Sequence, residues 1–174
     1  MRRLTSALSL TAAILVADVA QSHPQSSQAL ATAVRQGQTA VVQSLIEGGA
    51  DVNACGGDMV NPLQIAAERG NAAMITLLLD KGARVDGTCF GGRTALMVAA
   101  SHGDTLTAQV LIEAGADVNA SDSAGRTALA IAIGRSDAMM ASLLRRAGAR
   151  RADISDAGTH EPRRQALLRM VSRV

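Results

Sequence analysis

The feature that most constrains this chain is a repeat with a period of 33 residues. Two residue types recur at that interval, leucine at Leu30, Leu63, Leu96 and Leu129, and glycine at Gly49, Gly82, Gly115 and Gly148. The segment 49–54 also returns unchanged at 115–120. A fixed period of roughly 20 to 50 residues indicates stacked copies of one supersecondary unit. We therefore expect a stack of repeats instead of a single large globular core.

Polar caps and glycines predict two short helices in each repeat, followed by an extended turn. In the second repeat, Asn61 can cap a helix that begins at Pro62 and ends at Gly70. Asn71 can cap a second helix, which ends at Gly82. Equivalent caps and helix-ending glycines recur one repeat away at Thr94, Thr127, Asp104, Asp137, Gly37 and Gly103.

The core of such a stack has to be aliphatic. Hydrophobic residues make up 48% of the chain but aromatic residues only 1%, and Phe90 is the single aromatic side chain. A large globular core usually uses aromatic side chains, whereas thin repeated helix pairs pack well with Ala, Leu, Ile, Val and Met. The composition therefore agrees with the repeat.

With these residues the chain resembles the ankyrin repeat family. The matching segments are 61–70, 92–103 and 125–129, which open three successive repeats. The resemblance covers residues 28–151 and implies an all-α ankyrin repeat solenoid of about four helix–turn–helix units. We expect the repeat domain at 23–151, with units at 28–60, 61–93, 94–126 and 127–151.

The chain departs from the family pattern at several positions. The histidine of the family's Thr-Pro-Leu-His segment is replaced by Ala31, Gln64, Met97 and Ala130. In the family that histidine connects neighbouring turns by hydrogen bonds, so its loss bears on stability more than on fold. Met59 and Ser136 stand where the pattern prefers glycine.

The first 22 residues have the pattern of a secretory signal peptide. Arg2 and Arg3 precede an apolar stretch from Leu4 to Ala17, and small and polar residues follow it. The stretch is shorter than the roughly 20 residues of a membrane-spanning helix. We predict cleavage after Ser22 and a periplasmic or secreted protein without a membrane span.

The last segment, 152–174, is basic. From residue 145 onward there are 8 arginines and 3 acidic residues, whereas residues 23–144 carry 7 basic and 11 acidic side chains. Pro162 can begin a helix with Leu167, Leu168 and Val171 on one apolar face. We predict a C-terminal capping helix; a helix that binds a partner or an anionic membrane is the alternative.

The two cysteines lie in successive turns. A cysteine pair in an exported protein favours a disulfide between Cys55 and Cys89. Adjacent turns of this fold lie about 10 Å apart, beyond the ~7 Å limit between Cα atoms, but the glycines around both cysteines can let the turns approach. A disulfide, a redox-active thiol pair and two unpaired thiols all remain open.

No catalytic or cofactor motif accompanies the repeats. The chain lacks nucleophile-elbow, zinc-protease, phosphate-loop and dinucleotide motifs, and its three histidines are widely separated. We therefore expect no enzyme activity, no metal, no cofactor and no nucleic-acid partner, and we expect a monomer.

The resemblance implies that the chain binds a protein partner through its concave face. Turn tips and first-helix residues line that face, and here they are Asp58, Val60, Glu68, Arg69, Phe90, Arg93, Ser101, His102, Ser123, Arg126 and Arg135. Phe90 is the main candidate, because aromatic and arginine residues are enriched at interface hot spots. Exported bacterial ankyrin proteins are linked to peroxide protection beside catalase-type enzymes, and others resemble immunity proteins against toxins. An envelope-associated role of the basic tail is the third possibility.

Overall fold

The computed structural model describes residues 23–150 and contains eight α-helices and no strand within that range. The helices are α1 (His23–Arg35), α2 (Thr39–Glu47), α3 (Pro62–Glu68), α4 (Ala72–Asp80), α5 (Ala95–His102), α6 (Thr105–Glu113), α7 (Ala128–Gly134) and α8 (Ala138–Arg146). They form four pairs in chain order, as the all-α solenoid predicts. The predicted signal peptide and the predicted capping helix at 152–174 lie outside the described residues.

The predicted caps begin the helices of the last three pairs. For the first helix of each pair, the side-chain oxygens of Asn61, Thr94 and Thr127 accept hydrogen bonds from backbone N–H groups three residues later. For the second helix, the side chains of Asn71, Asp104 and Asp137 do the same. Each cap satisfies a backbone donor that has no partner inside the helix. The predicted helix starts are therefore confirmed.

The predicted helix breaks near Gly37, Gly70 and Gly103 are confirmed by the backbone. All three glycines have positive φ angles, of 69°, 64° and 73°. Gly70 also allows close packing, because a Cβ atom there would lie 2.7 Å from the Asp104 carboxylate of the next pair. Met59 and Ser136 keep positive φ angles of 56° and 59° without being glycine. The repeat geometry therefore persists where the sequence departs from the pattern.

The helix pairs stack so that each contacts its neighbours. The first helices α1, α3, α5 and α7 pack in sequence against one another, and α4, α6 and α8 form a second row beside them. Leu30, Leu63, Leu96 and Leu129 are all at most 2% exposed. Residues 62–67 of α3 and 95–100 of α5 are entirely buried, because each of these helices has a neighbour on both sides.

Polar side chains connect successive units. Gln64 stands in place of the family histidine; its Oε1 accepts from the Asn61 N–H and its Nε2 donates to the Arg93 carbonyl in the next turn. The amide of Asn53 donates to the Gly82 carbonyl at 3.2 Å and accepts from the Arg84 N–H at 2.8 Å. Asn119 repeats that pair of hydrogen bonds with Gly148 and Arg150. The second unit therefore keeps, through Gln64, a link that the missing histidine provides elsewhere.

Candidate partner-binding surface

Three long turns join the helix pairs, and we call them the first tip (54–60), the second tip (87–93) and the third tip (120–126). The first and second tips are joined by the disulfide between Cys55 and Cys89. The second and third tips are joined by a backbone hydrogen bond of 3.0 Å from the Ser123 N–H to the Gly91 carbonyl. The second tip is therefore held from both sides.

The disulfide decides between the cysteine states that the sequence left open. The Cα atoms of Cys55 and Cys89 lie 5.9 Å apart, inside the range that a disulfide spans. The expected separation of about 10 Å between adjacent turns is wrong for this pair. The glycines beside both cysteines explain the approach, since Gly91 and Gly92 adopt positive φ angles of 80° and 67° that other residues rarely take.

Phe90 projects into solvent from the second tip. It begins a single 3₁₀ turn, Phe90–Gly92, and 80% of its surface is exposed. It therefore does not fold back over its own turn. Met59 in the first tip is also exposed, at 56%. A large apolar side chain held in water by a constrained turn is typical of a contact residue.

Arg93, Ser101 and His102 lie together beside the C-terminal end of α5. The Arg93 Nη2 donates to the Ser101 hydroxyl at 3.2 Å, and that hydroxyl donates to the Val98 carbonyl at 2.8 Å. The His102 Nδ1 lies 2.9 Å from the same carbonyl. Because a carbonyl can only accept, this contact places the proton of a neutral His102 on Nδ1. Three predicted contact residues thus form one polar cluster.

Arg126 in the third tip has an internal counter-ion. Its Nε and Nη2 donate to the Asp122 carboxylate at 2.9 and 2.8 Å, and Asp122 also accepts from the backbone N–H groups of Ala124 and Arg126. Burial raises the pKa of Asp122, but the hydrogen bonds and the charge of Arg126 outweigh it and leave the pKa lowered. Asp122 therefore stays ionised and holds the third tip together.

The other predicted residues have separate environments. Asp58 in the first tip forms a salt bridge of 2.5 Å with Arg35 of α1, and Val60 packs partly buried against the core. The remaining four are exposed, at the ends of first helices or in the third tip: Glu68, Arg69, Ser123 and Arg135. Their exposure leaves them free for contact, whereas Asp58 and Val60 also serve the fold.

Three residues of this surface were not predicted as contacts from the sequence. They are Arg35, which pairs with Asp58, Met59, and Asp122, which is 6% exposed. For Asp122 a signal was present, since a carboxylate four residues before an arginine in a short turn can pair with it. For Arg35 none was, because its partner lies 23 residues away.

Clefts elsewhere on the described part of the chain do not include the predicted contact residues. One is lined by residues of α1 and α2, among them Gln28, Thr32 and Val41. Another lies between α6 and α8, beside Gln109, Met139 and Arg146. Within residues 23–150 no group of three or more histidine, cysteine or carboxylate side chains could hold a metal ion, and no helix there has the length and hydropathy to cross a bilayer.

Stacked helix pairs with exposed, connected tips define a repeat scaffold that binds other molecules through its surface. The family model for ankyrin repeats matches the chain in three copies, at residues 9–89, 30–122 and 87–157. The chain therefore belongs to the ankyrin repeat family, which typically provides protein–protein interaction modules without catalytic activity. No curated protein was found to match the chain.

Proposed function

We propose that this chain works outside the cytoplasm and holds a protein partner on the surface formed by the three tips and the ends of the first helices. One observation carries the proposal. Phe90 is 80% exposed on a turn that is joined to both neighbouring tips. Such a side chain adds apolar contact area while losing little conformational freedom on binding. Arg93 and Arg126 extend the same surface with residues of the type enriched at hot spots.

Capture of the native partner tests this proposal. Immobilised wild-type protein, Phe90→Ala and Met139→Ala are exposed to extracellular and periplasmic extract, and the captured protein is then titrated by calorimetry. Met139 is the matched control, because it is 77% exposed but lies on α8 in the second row. We expect Phe90→Ala to weaken binding by about 2 kcal/mol or more, the hot-spot scale, and Met139→Ala to change it little.

Stability must be measured alongside. Because the Phe90 side chain makes few contacts, its truncation should leave the unfolding midpoint nearly unchanged. An unchanged affinity combined with a large loss of stability would show that Phe90 is structural and that the interface lies elsewhere.

The proposed location is the periplasm or the extracellular space. It is supported by the signal-peptide pattern of residues 1–22 and by the disulfide, since such bonds persist mainly in oxidising compartments. Mass spectrometry of the mature protein should find His23 at the N-terminus. A cellular pool that retains Met1 or Arg2 at the N-terminus would contradict export with cleavage after Ser22.

The proposed biological role is protection against peroxide, which is supported by the resemblance to exported ankyrin proteins linked to catalase-type enzymes. A deletion strain should become sensitive to peroxide and should be rescued by the wild-type chain but not by Phe90→Ala. If only a co-expressed toxin kills the deletion strain, the role is immunity. Salt-sensitive binding of the full chain to anionic vesicles would favour an envelope role of the basic tail.

A further inference from the structure

Equivalent arginines in the second and third tips differ in one respect. Arg93 and Arg126 are 33 residues apart and occupy the same position in their tips. Arg126 is paired with Asp122, which precedes it by four residues. The residue at that place before Arg93 is Cys89, which forms the disulfide. The second tip therefore keeps the arginine of the third tip but has lost its carboxylate.

Nothing in the described part of the chain replaces that counter-ion. Arg93 forms no salt bridge there, and its side chain donates only to the neutral hydroxyl of Ser101. Its Nε is buried and has no hydrogen-bond partner. No aspartate or glutamate occurs between Gly87 and Gly103.

A partly buried guanidinium without a counter-ion gains strongly from a carboxylate. Burial has already removed part of its hydration, so an incoming carboxylate displaces little water from it. Hydrogen bonds between two charged groups are also roughly twice as strong as neutral ones. The terminal Nη atoms, unlike the buried Nε, are the donors that a ligand can reach.

We propose that Arg93 receives a carboxylate from an acidic segment of the protein partner, in the role that Asp122 has for Arg126. This inference rests on the proposed function and names the chemistry of its partner. Arg69, His102 and Arg135 occupy equivalent positions at the ends of successive first helices, so basic or imidazole side chains accompany Arg93 along the stack. Phe90 lies three residues before Arg93, which places an apolar contact next to the carboxylate.

The test uses a defined probe, a fluorescein-labelled dodecapeptide of alternating glutamate and glycine, and its lysine counterpart. Fluorescence anisotropy at low salt should show binding of the glutamate peptide alone. Arg93→Gln should weaken it about tenfold, the effect of ~1.4 kcal/mol. Arg145→Gln, which removes an exposed arginine of α8 in the second row, should change it less than about twofold.

A second pair of variants supplies the missing carboxylate within the chain. Cys55→Ser/Cys89→Asp places an aspartate where the third tip has Asp122, and Cys55→Ser/Cys89→Ser is its control without a carboxylate. The aspartate variant should bind the glutamate peptide several-fold more weakly than the serine control, because Arg93 is then paired internally. This comparison also serves if Arg93→Gln fails to fold.

Three outcomes would overturn the inference. They are no binding of the glutamate peptide, equal losses with Arg93→Gln and Arg145→Gln, and equal affinities of the aspartate and serine variants. None of these affects the capture of the native partner through Phe90. If that capture persists while the peptide fails to bind, the binding surface stands and its preference for an acidic partner is wrong.

Discussion

At the scale of single residues, Asp86 interrupts a ladder of asparagines. Asn53 and Asn119 each donate to a glycine carbonyl and accept from a backbone N–H of the next unit. Asp86 stands midway between them in the repeat and accepts from the Asp117 N–H at 3.0 Å, but a carboxylate cannot donate. The Gly115 carbonyl, which corresponds to Gly82, has no hydrogen-bond donor among residues 23–150.

Asp86→Asn should therefore stabilise the protein. The new amide can donate to the Gly115 carbonyl and still accept from Asp117, which adds about 0.5 to 1.5 kcal/mol to the free energy of unfolding. Chemical denaturation measures it. The reverse change, Asn119→Asp, should lower the stability by a similar amount. A destabilised Asp86→Asn variant would show that the carboxylate serves another contact.

Ser136 holds a left-handed backbone that suits glycine. Its φ angle is 59°, and the equivalent Gly103 has 73°. Ser136→Gly should raise the free energy of unfolding by about 0.5 to 1 kcal/mol, because the strain relieved exceeds the added freedom of the unfolded chain. Ser142→Gly, at an exposed site inside α8, is the control and should cost about 1 kcal/mol. Equal losses in both variants would rule out strain at Ser136.

At the scale of the helices and tips, local signals carried the prediction well. A cap such as Asn61 acts on a backbone donor three residues away, so a short stretch of sequence contains both partners. The predicted helix starts agree with the structure for that reason. Contacts between units are different: Arg35 meets Asp58 and Gln64 meets Arg93 only after the stack has formed. The sequence contained no local sign of either.

Asp122 makes the third tip sensitive to acid. Its folded pKa is lowered from the ordinary value of 3.8, so its stabilising effect is complete above that pH and is lost as the pH falls through the lower, folded pKa. Asp122→Asn should cost about 1 to 2 kcal/mol at neutral pH, since Arg126 is largely exposed to solvent. Denaturation curves at several pH values measure this.

The difference between wild type and Asp122→Asn should narrow below pH 3.8, because protonation removes the carboxylate from the wild type as well. Asn has nearly the same shape as Asp and keeps one acceptor for the backbone N–H groups, so the comparison isolates the charge. A constant difference across the whole acid range would mean that the charge of Asp122 does not support the tip.

At the scale of the whole molecule, the disulfide adds a covalent link to a stack that otherwise depends on neighbour contacts. It joins positions 34 residues apart. Reduction should lower the free energy of unfolding by about 3 to 4 kcal/mol on the chain-entropy model. The Cys55→Ser/Cys89→Ser variant should not respond to reductant. Two alkylated cysteines in freshly isolated protein, trapped without reductant, would show that the bridge is absent.

The fold followed from the repeat, but the contact surface could only partly be predicted. Phe90 was identified because it is the one aromatic residue and lies between glycines. The missing counter-ion of Arg93 was not, because it depends on the pairing of Arg126 with Asp122 and on the cysteine that replaces the acid one repeat earlier. Such a comparison between units requires side-chain positions.

The most direct test of the binding surface is photo-crosslinking in living cells. The crosslinker benzoylphenylalanine replaces Phe90 in one variant and Met139 in another; both sites are largely exposed, at 80% and 77%. The account predicts a discrete crosslinked protein from position 90 and none from position 139. It also predicts that Arg93→Gln in the same chain weakens that product. A product from position 139 alone would contradict the account, since it would place the interface on the second row of helices.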